Sequence, residues 1–267
     1  MQHLIHFKFN MSLKHKVAIV TGGSSGIGAA IAVKFIAEGA KVTIVARNEK
    51  KLAAVSGECQ KNGSQPLVIV ADVTKEDDAN RIINDTIKHY GKLDILVNNA
   101  GIGNICTILD KNVMEMFDKV MATNLRSVVY LTHLAAPYII ETKGNIINIS
   151  SIGARYVYGN AFIYKTSKAG LDHFTRCVAL ELAPKGVRVN TINPGAVKTD
   201  LLENIGADPA TEASLWEVLK TRTALKRIGE AEEIAELAVF VASDKGRSIT
   251  GSALITDNGS LLFPTQE

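Results

Sequence analysis

The stretch that decides the fold is "KVAIVTGGSSGIG", residues 16 to 28. Its first half is a short run of apolar, mostly β-branched residues, which is typical of a buried strand. Glycines follow at positions 22, 26 and 28, where a tight turn and a close backbone approach favour residues without a Cβ. An apolar helix begins directly after them, and its N-terminus offers free N–H groups and a positive dipole end to a pyrophosphate. A strand, a glycine turn and a helix in this order predict a dinucleotide site.

Short apolar strands alternate with longer helical stretches along the rest of the chain. Strands are predicted at 16–21, 41–46, 66–72, 92–101, 144–151, 186–195 and 253–256. Helices fit between them, among others at 75–90, 111–140, 162–184 and 231–243. Continuous Val and Ile in strands that are separated by helices indicate a parallel sheet covered on both faces. We therefore predict one α/β domain, a doubly wound parallel sheet of Rossmann type with seven strands and helices on both faces.

Two segments depart from this alternation. Residues 1–14 lack the cleavage site and long apolar core of a secretory signal, and we interpret them as a loose extension before a domain at 15–267. Residues 196–230 form a long excursion, which in compact domains is usually functional or disordered. Their apolar residues indicate short amphipathic helices that form a substrate lid, although packing at a subunit surface also explains them. These residues are Leu201, Leu202, Ile205, Leu215, Trp216, Val218 and Leu219.

Composition argues against several classes of protein. Hydrophobic residues make up 46% and charged residues 21%, with a formal net charge of +3 and no basic tract that indicates nucleic acid. No apolar run approaches the length of a membrane span. The three cysteines are far apart without a C-x-x-C, so neither a disulfide framework nor a metal site is indicated. We predict a cytoplasmic protein, with mitochondrial import as the weaker alternative, and no nucleic-acid or membrane partner.

Tyr164 and Lys168 lie four residues apart in "IYKTSKAG", residues 163 to 170, within a predicted helix. At this spacing the two side chains share one face of the helix. A phenol has a pKa of about 10, and a cation one turn away favours the phenolate, which suits a group that exchanges protons near neutral pH. A solvated pair with the lysine stem over the ring explains the same spacing. The pair alone leaves both interpretations open.

A rival motif overlaps the glycine turn. Residues 22–26, "GGSSG", satisfy the G-x-S-x-G pattern of a hydrolase nucleophile elbow. That elbow requires several strands and an oxyanion loop upstream, and too little chain precedes Gly22 to supply them. The histidines that would have to act as its base, His89, His133 and His173, all fall in predicted helices. No Gly-Lys-Ser/Thr follows the turn, which excludes a Walker loop. The dinucleotide interpretation is favoured.

Six elements together resemble the short-chain dehydrogenase/reductase family. They are "TGGSSGIG" (21–28), "NNAG" (98–101), Asn124 in "MATNLRS", "NISS" (148–151), "YKTSK" (164–168) and "NPGAVKT" (193–199). Their order and spacing match the family from about Lys14 to Gly259. Within the single-domain branch of the family, the chain is similar to 3-oxoacyl-carrier-protein reductase-like members.

The resemblance implies a catalytic set. Tyr164 would be the general acid/base, and Lys168 would lower its pKa and hold the nicotinamide ribose. Ser151, which the family register favours over Ser150, would hydrogen-bond the substrate oxygen. Asn124 would bend its helix and hold a water that links Lys168 to solvent. The implied activity is hydride transfer between NADP(H) and a hydrophobic ketone or secondary alcohol. A catalytically silent dinucleotide-binding regulator or scaffold is the alternative.

The resemblance also implies residues around the cofactor and the substrate. The cofactor-binding residues would be Gly22, Ser24, Ser25, Gly26, Ile27, Gly28, Arg47, Asn48, Asp72, Val73, Asn98, Ala100, Gly101, Tyr164, Lys168, Pro194, Gly195, Val197 and Thr199. The substrate residues would be Ser151, Ile152, Arg155, Tyr156, Tyr158 and Trp216, beside an apolar wall that includes Ile102, Ile105 and Cys106. Arg155 would meet a substrate carboxylate or remain solvated.

The end of the second strand predicts the choice of cofactor. An NAD-preferring site places an acidic residue there to bind the ribose 2′-hydroxyl. This chain has Ala46 at that position, followed by Arg47 and Asn48. A guanidinium binds a 2′-phosphate through paired, charge-assisted bonds. We predict NADP(H) over NAD(H), although Arg47 as an exposed loop residue is the alternative, and Ser25 replaces the second basic residue of many NADP-binding relatives.

The helices at 111–140 and 162–184 predict self-association. They carry more apolar surface than one sheet face covers, and family members usually pair these helices between subunits. The resemblance therefore implies a homotetramer, with a dimer as the second choice.

Overall fold

Parallel strands form one sheet at the centre of the protein. The structure is a computed structural model that describes residues 12–157, 159–199 and 209–262. In this part of the chain the strands are β1 (Val17–Thr21), β2 (Lys41–Ala46), β3 (Leu67–Val70), β4 (Ile95–Asn98), β5 (Asn145–Ile149), β6 (Arg188–Pro194) and β7 (Ala253–Thr256). They lie in the order β3-β2-β1-β4-β5-β6-β7, and every neighbouring pair is parallel. The predicted seven-stranded sheet is confirmed.

Helices cover both faces of this sheet. The described α-helices are α1 (Gly26–Ala37), α2 (Glu49–Lys61), α3 (Glu76–Tyr90), α4 (Val113–Met121), α5 (Ser127–Thr142), α6 (Phe162–Leu182), α7 (Pro209–Thr221) and α8 (Ala231–Ala242). One buried cluster joins α1 and α8 to the sheet through residues such as Phe35 and Ile234. The second joins α3 and α5 to the opposite face through Ile82 and Ile139. Because both faces are covered, β1 is buried along its whole length.

The strand order reverses beside β1. From β1 the chain winds outward through β2 and β3, and it then returns to the other side for β4 to β7. In sheets of this kind a crevice opens at the carboxyl ends of the strands where the winding reverses. The loops after β1, β4 and β5 therefore meet at one edge, and these loops carry the motifs that the sequence singled out.

The long helix predicted at 111–140 is interrupted. α4 ends at Met121, Ala122–Arg126 form a π-helical turn, and α5 begins at Ser127. A π turn widens the helix by one residue and occurs frequently at functional sites. Asn124, at which the resemblance implies a bend of the helix, lies at the centre of this π turn.

The chain before β1 is packed more closely than predicted. We expected a loose extension over 1–14, but Leu13 is fully buried in the core. The N–H and Oγ of Ser12 both donate to the carboxylate of Glu38, at 3.0 and 2.6 Å. These bonds hold the pKa of Glu38 below its ordinary value. The domain therefore begins at or before Ser12, while residues 1–11 lie outside the described part of the chain.

Among the helices that the structure describes, none is long and apolar enough to cross a bilayer.

Candidate active site

A cleft of about 2110 Å³ opens at the carboxyl ends of the strands. Loops from both sides of the winding reversal contribute to its walls, as the topology requires. Its lining includes, among others, Gly22, Ser24, Ser25, Gly26, Ile27, Arg47, Asn48, Asp72, Val73, Ala100, Gly101, Ser151, Ile152, Tyr156, Tyr164, Lys168, Pro194, Gly195, Val197, Thr199 and Trp216. Most of the predicted cofactor and substrate residues therefore surround one cavity.

Three glycines of the turn, at positions 22, 26 and 28, have no room for a side chain. Gly22 and Gly26 have φ angles of +65° and +52°, in the left-handed region that glycine adopts without strain. A Cβ on Gly22 would come within 2.7 Å of Asn99 Nδ2, and one on Gly26 within 2.9 Å of Thr199 Cγ2. A Cβ on Gly28 would collide with the main-chain oxygen of Gly22. The resulting cradle at the N-terminus of α1 has the shape and the free N–H groups that suit a pyrophosphate.

The asparagines at the end of β4, Asn98 and Asn99, have different environments. Asn99 lines the cleft, and its Nδ2 donates to the main-chain oxygens of Thr21 and Gly22 at 2.9 and 3.2 Å. Asn98 is buried, and its Nδ2 donates to Oδ1 of Asn148 at 2.9 Å. We predicted Asn98 under the ribose, but Asn98 ends a strand whose residues are all buried, and its side chain lies inside the domain.

Lys168 is a buried cation beside Tyr164. Its side chain is 5% exposed, and its Nζ donates to the main-chain oxygen of Ile149 at 2.7 Å. The same nitrogen lies 5.7 Å from the centroid of the Tyr164 ring. Burial lowers the pKa of Lys168 to about 8, and the charge of Asp172 acts in the opposite direction. This burial excludes the interpretation as a solvated surface pair.

The two serines after β5 have different hydrogen bonds. Ser150 is 4% exposed, and its Oγ donates to the main-chain oxygen of Lys168 at 3.3 Å. Ser151 is half-buried, and its Oγ accepts from the N–H of Gly153 at 3.0 Å. A hydroxyl that accepts one bond still has its own proton to donate. Ser151 is therefore the better placed of the two to donate to a substrate oxygen.

Asn124 ties the π turn to the loop after β4. Its Oδ1 accepts from the N–H of Ile102 at 2.8 Å, and its Nδ2 donates to the oxygen of Ile102 at 2.9 Å and to Ser167 Oγ at 3.1 Å. It is 1% exposed and does not line the cleft. A Cβ on Gly101 would lie 3.4 Å from Asn124 Oδ1 and 3.6 Å from Lys168 Nζ. Asn124 and Lys168 therefore both lie close to Gly101.

The substrate side of the cleft differs in part from the prediction. Ile102, Ile105 and Trp216 line it, whereas Arg155 is exposed and lies outside the lining. Cys106 is also absent from the lining, because it is buried in a small cluster with Val120 and Ile163. Of the predicted lid, Leu215, Trp216 and Leu219 line the cleft from α7. Tyr158, Leu201, Leu202 and Ile205 lie outside the described residues.

Asn104 is a residue of the site that the sequence did not single out. Its Oδ1 accepts from the main-chain N–H of Tyr164 at 3.2 Å, and its Nδ2 donates to Cys106 Sγ at 2.8 Å. The residue before α6, Ala161, supplies no side-chain cap, so Asn104 takes that place from another loop. Sixty positions separate Asn104 from Tyr164. No local pattern signals a contact over such a distance.

Basic residues stand at the rim where β2 ends. Arg47 is exposed there, and Lys50 and Lys51 line the same part of the cleft. Asn48 caps α2, since its Oδ1 accepts from the N–H of Lys51 at 3.0 Å. Partial burial opposes ionisation of Asp72, but bonds from Thr74 and the charge of Arg47 outweigh it and hold the pKa of Asp72 below its ordinary value.

The sheet, the glycine cradle and the Tyr164–Lys168 pair define a doubly wound α/β protein with the site of a dinucleotide-dependent oxidoreductase. The chain belongs to the short-chain dehydrogenase/reductase family, whose members bind a nicotinamide dinucleotide. A family model described as enoyl-(acyl carrier protein) reductase matches residues 22–260.

Relatives of known sequence and structure agree with this assignment. The chain is 37% identical over 254 residues to the short-chain dehydrogenase/reductase FrzI of a Cladobotryum species, covering 94% of this chain and 97% of that one. It is 33% identical to the 3-oxoacyl-[acyl-carrier-protein] reductase FabG of Thermotoga maritima, covering 94% of this chain and 100% of that one. A short-chain dehydrogenase/reductase of unknown function from Caenorhabditis elegans, solved with cofactor, superposes with a TM-score of 0.90 at 33% identity and covers 95% of this chain and 98% of that one.

Proposed function

We propose that the protein is an NADP(H)-dependent carbonyl reductase or alcohol dehydrogenase that acts on a hydrophobic ketone or secondary alcohol. The observation that carries this proposal is the convergence of Ser151, Tyr164 and Lys168 in one cleft beside the glycine cradle. The glycine turn suits a pyrophosphate, because it lines the cleft at the N-terminus of α1 without side chains at Gly22 and Gly26. A bound nicotinamide supplies or accepts the hydride at the carbon of the substrate.

The protein's own residues then bind the substrate oxygen and transfer its proton. In reduction, the hydroxyl of Tyr164 donates its proton to the carbonyl oxygen as that oxygen gains charge, and in oxidation the phenolate takes the proton from the alcohol. The hydroxyl of Ser151 donates a hydrogen bond to the same oxygen. The ammonium of Lys168 favours the phenolate form of Tyr164 and binds the ribose. Through its bonds to Ile102, Asn124 holds the loop after β4 close to the ammonium of Lys168.

The preference for NADP(H) rests on the rim of the cleft. β2 ends at Ala46, so the strand end lacks the carboxylate that would bind a 2′-hydroxyl, although Glu49 lines the same cleft among Arg47, Lys50 and Lys51. Arg47 follows, and its guanidinium is exposed beside Lys50 and Lys51. Because the Oδ1 of Asn48 already caps α2, this side chain offers its Nδ2 as a donor to the phosphate. NAD(H) is the alternative cofactor.

The preference for a hydrophobic substrate rests on the apolar residues of the cleft. Ile105, Ile152, Leu215, Trp216 and Leu219 line it. Apolar lining with a few polar groups at one end suits a small molecule with one reactive oxygen.

Self-association as a homotetramer, with a dimer second, is part of the proposal. Val129 on α5 and Leu180 on α6 are 41% and 80% exposed. Large exposed apolar side chains on two helices that pack on the same core cluster suit a contact with a second copy. The cytoplasmic location stays a prediction.

One experiment tests the proposed activity. The purified protein is mixed with NADPH and a panel of ketones, diketones, steroids and retinoids, and oxidation of NADPH is followed by its absorbance. We expect turnover with apolar ketones and little with small polar ones. Tight NADPH binding without turnover across the panel would instead favour the regulator or scaffold.

A further inference from the structure

A buried carboxylate lies beneath the site, and the proposed chemistry does not use it. Asp172 is one helical turn beyond Lys168 on α6 and is 6% exposed. Its two oxygens accept from Nδ2 of Asn193 at 3.1 and 2.9 Å. Both of these contacts come from one amide nitrogen. A buried ion requires a charged partner or hydrogen bonds, and Asn193 alone provides only a neutral one.

Asn193 connects this carboxylate to the catalytic serine. Its Nδ2 also donates to the main-chain oxygen of Ser151 at 3.1 Å. Its Oδ1 accepts from the Oγ of Thr191 at 2.7 Å, which fixes the orientation of the amide. Asn193 is fully buried in β6. Asp172 and Ser151 are therefore held by the same amide group.

Asp172 is the charged group that acts on Lys168 in the described part of the chain. α6 packs against β6, α4, the π turn and the short turns Ile152–Ala154 and Ala183–Lys185. β6 and the π turn face Asp172 and Lys168 with neutral Thr191, Asn193 and Asn124. The charged residues of these elements have other partners or are exposed. Arg188 of β6 donates to the main-chain oxygens of Ile249 and Val241, and Arg126 of the π turn pairs with Glu76. The exposed ones are Glu115, Asp118, Lys119 and Lys185. On α6 itself, Tyr164 lies beside Lys168, and Lys165, whose pKa burial lowers, lies one turn before Lys168 and lines the same cleft.

We propose that Asp172 is a positioning residue that keeps Lys168 charged and, through Asn193, holds the backbone of Ser151 in place. The inference rests on the roles proposed above for Tyr164 and Lys168. Burial favours the neutral amine of Lys168, and the carboxylate one turn away opposes that tendency. Without the carboxylate, Lys168 loses its proton more readily, and the phenol of Tyr164 then retains its own.

Asp172→Asn separates the two roles. An asparagine still accepts from Asn193, so the anchor of Ser151 remains while the charge is removed. In alcohol oxidation, which needs the phenolate, the acidic limb of the pH profile of kcat should move to higher pH by about one unit, with an about tenfold fall at neutral pH. Loss of the negative charge would by itself favour the phenolate of Tyr164. Asp172 is two turns from Tyr164 and only one from Lys168, so the loss of charge on Lys168, which disfavours the phenolate, has the larger effect. A limb that stays in place or moves to lower pH would overturn the proposal.

Asp94→Asn is the matched control. Asp94 is also a buried carboxylate, 3% exposed, but it lies just before β4 and pairs with Lys92 at 2.9 Å. Its substitution should lower thermal stability and leave the pH profile unchanged. A profile that moves equally in both variants would show a general effect of lost buried charge and would contradict a specific role for Asp172.

A stability measurement tests the pairing without turnover. In a Lys168→Met background Asp172 has lost its cation, so adding Asp172→Asn should raise the melting temperature by removing an uncompensated buried charge. This comparison remains available if Asp172→Asn alone does not fold. If Asp172→Asn lowers the melting temperature of the Lys168→Met variant as much as it lowers that of the wild type, the two residues are not coupled. An enzyme without any turnover would refute the proposed function and would leave this measurement valid.

Discussion

The ammonium nitrogen of Lys168 lies 5.7 Å from the centroid of the Tyr164 ring, inside the domain and at the edge of the cleft. The helix sets this relationship, because residues four apart meet on one face. Burial strengthens the electrostatic effect of Lys168 on Tyr164, since a charge acts on its neighbour more strongly where water is excluded. The same pair on an exposed helix would be worth a few tenths of a kcal/mol. The four-residue spacing of Tyr164 and Lys168 is common in helices. It forms a site that suits proton transfer here because α6 places the pair at the buried edge of the cleft.

Replacing Tyr164 with Phe removes one hydroxyl and retains the ring. We expect kcat to fall by about 10²- to 10⁴-fold, the usual contribution of a positioned acid or base. NADPH binding, followed by fluorescence, and the melting temperature should stay close to wild type. Tyr138→Phe, on α5 and outside the cleft, is the control for loss of a phenol. Activity of Tyr164→Phe near the wild-type level would contradict the acid/base role.

Ser151→Ala and Ser150→Ala form a matched pair. The first removes the hydroxyl proposed to donate to the substrate oxygen, so kcat should fall by about 10²- to 10³-fold. The second removes a hydrogen bond to the main chain of Lys168, which should mainly lower the melting temperature, with an about tenfold or smaller effect on kcat. Initial rates and thermal unfolding of both variants check this. Equal losses of kcat would argue against the assignment of Ser151.

Arg47→Leu tests the cofactor preference. A charge-assisted bond contributes about 1.5–3 kcal/mol, so the KM for NADPH should rise by about tenfold to hundredfold while that for NADH stays unchanged. Adding Ala46→Asp should reverse the preference. Lys61→Leu, at the far end of α2, is the control for loss of a nearby cation. Equal affinity of the wild type for NADH and NADPH would refute the inference from Arg47.

Leu180→Glu tests self-association through α5 and α6. A charge on this 80% exposed leucine should shift a tetramer toward smaller species, because an unpaired charge in an apolar contact is costly. Val70→Glu, at the edge strand β3, is the control and should leave the assembly intact. Light scattering at micromolar concentration measures both. A wild-type monomer under these conditions would refute the assembly itself.

Local patterns were sufficient for most of the fold. The strands at 41–46 and 253–256 coincide with β2 and β7, because continuous apolar runs bounded by turns leave little choice of structure. The helix at 111–140 was predicted without its π turn, since that turn comes from the side-chain bonds of Asn124 to Ile102 and not from periodicity. Leu13 was assigned to a loose extension for a similar reason, because its burial depends on helices that follow it.

The sequence by itself determined the order of strands and helices, the glycine turn and the pairing of Tyr164 with Lys168. All of these depend on residues that are near one another in the chain, where spacing alone sets the geometry. Only the tertiary structure decided that Asn104 caps the helix of Tyr164, that Asn98 faces the interior, and that Asn193 joins Asp172 to Ser151. Those contacts link separate elements, and packing of the whole domain brings them together.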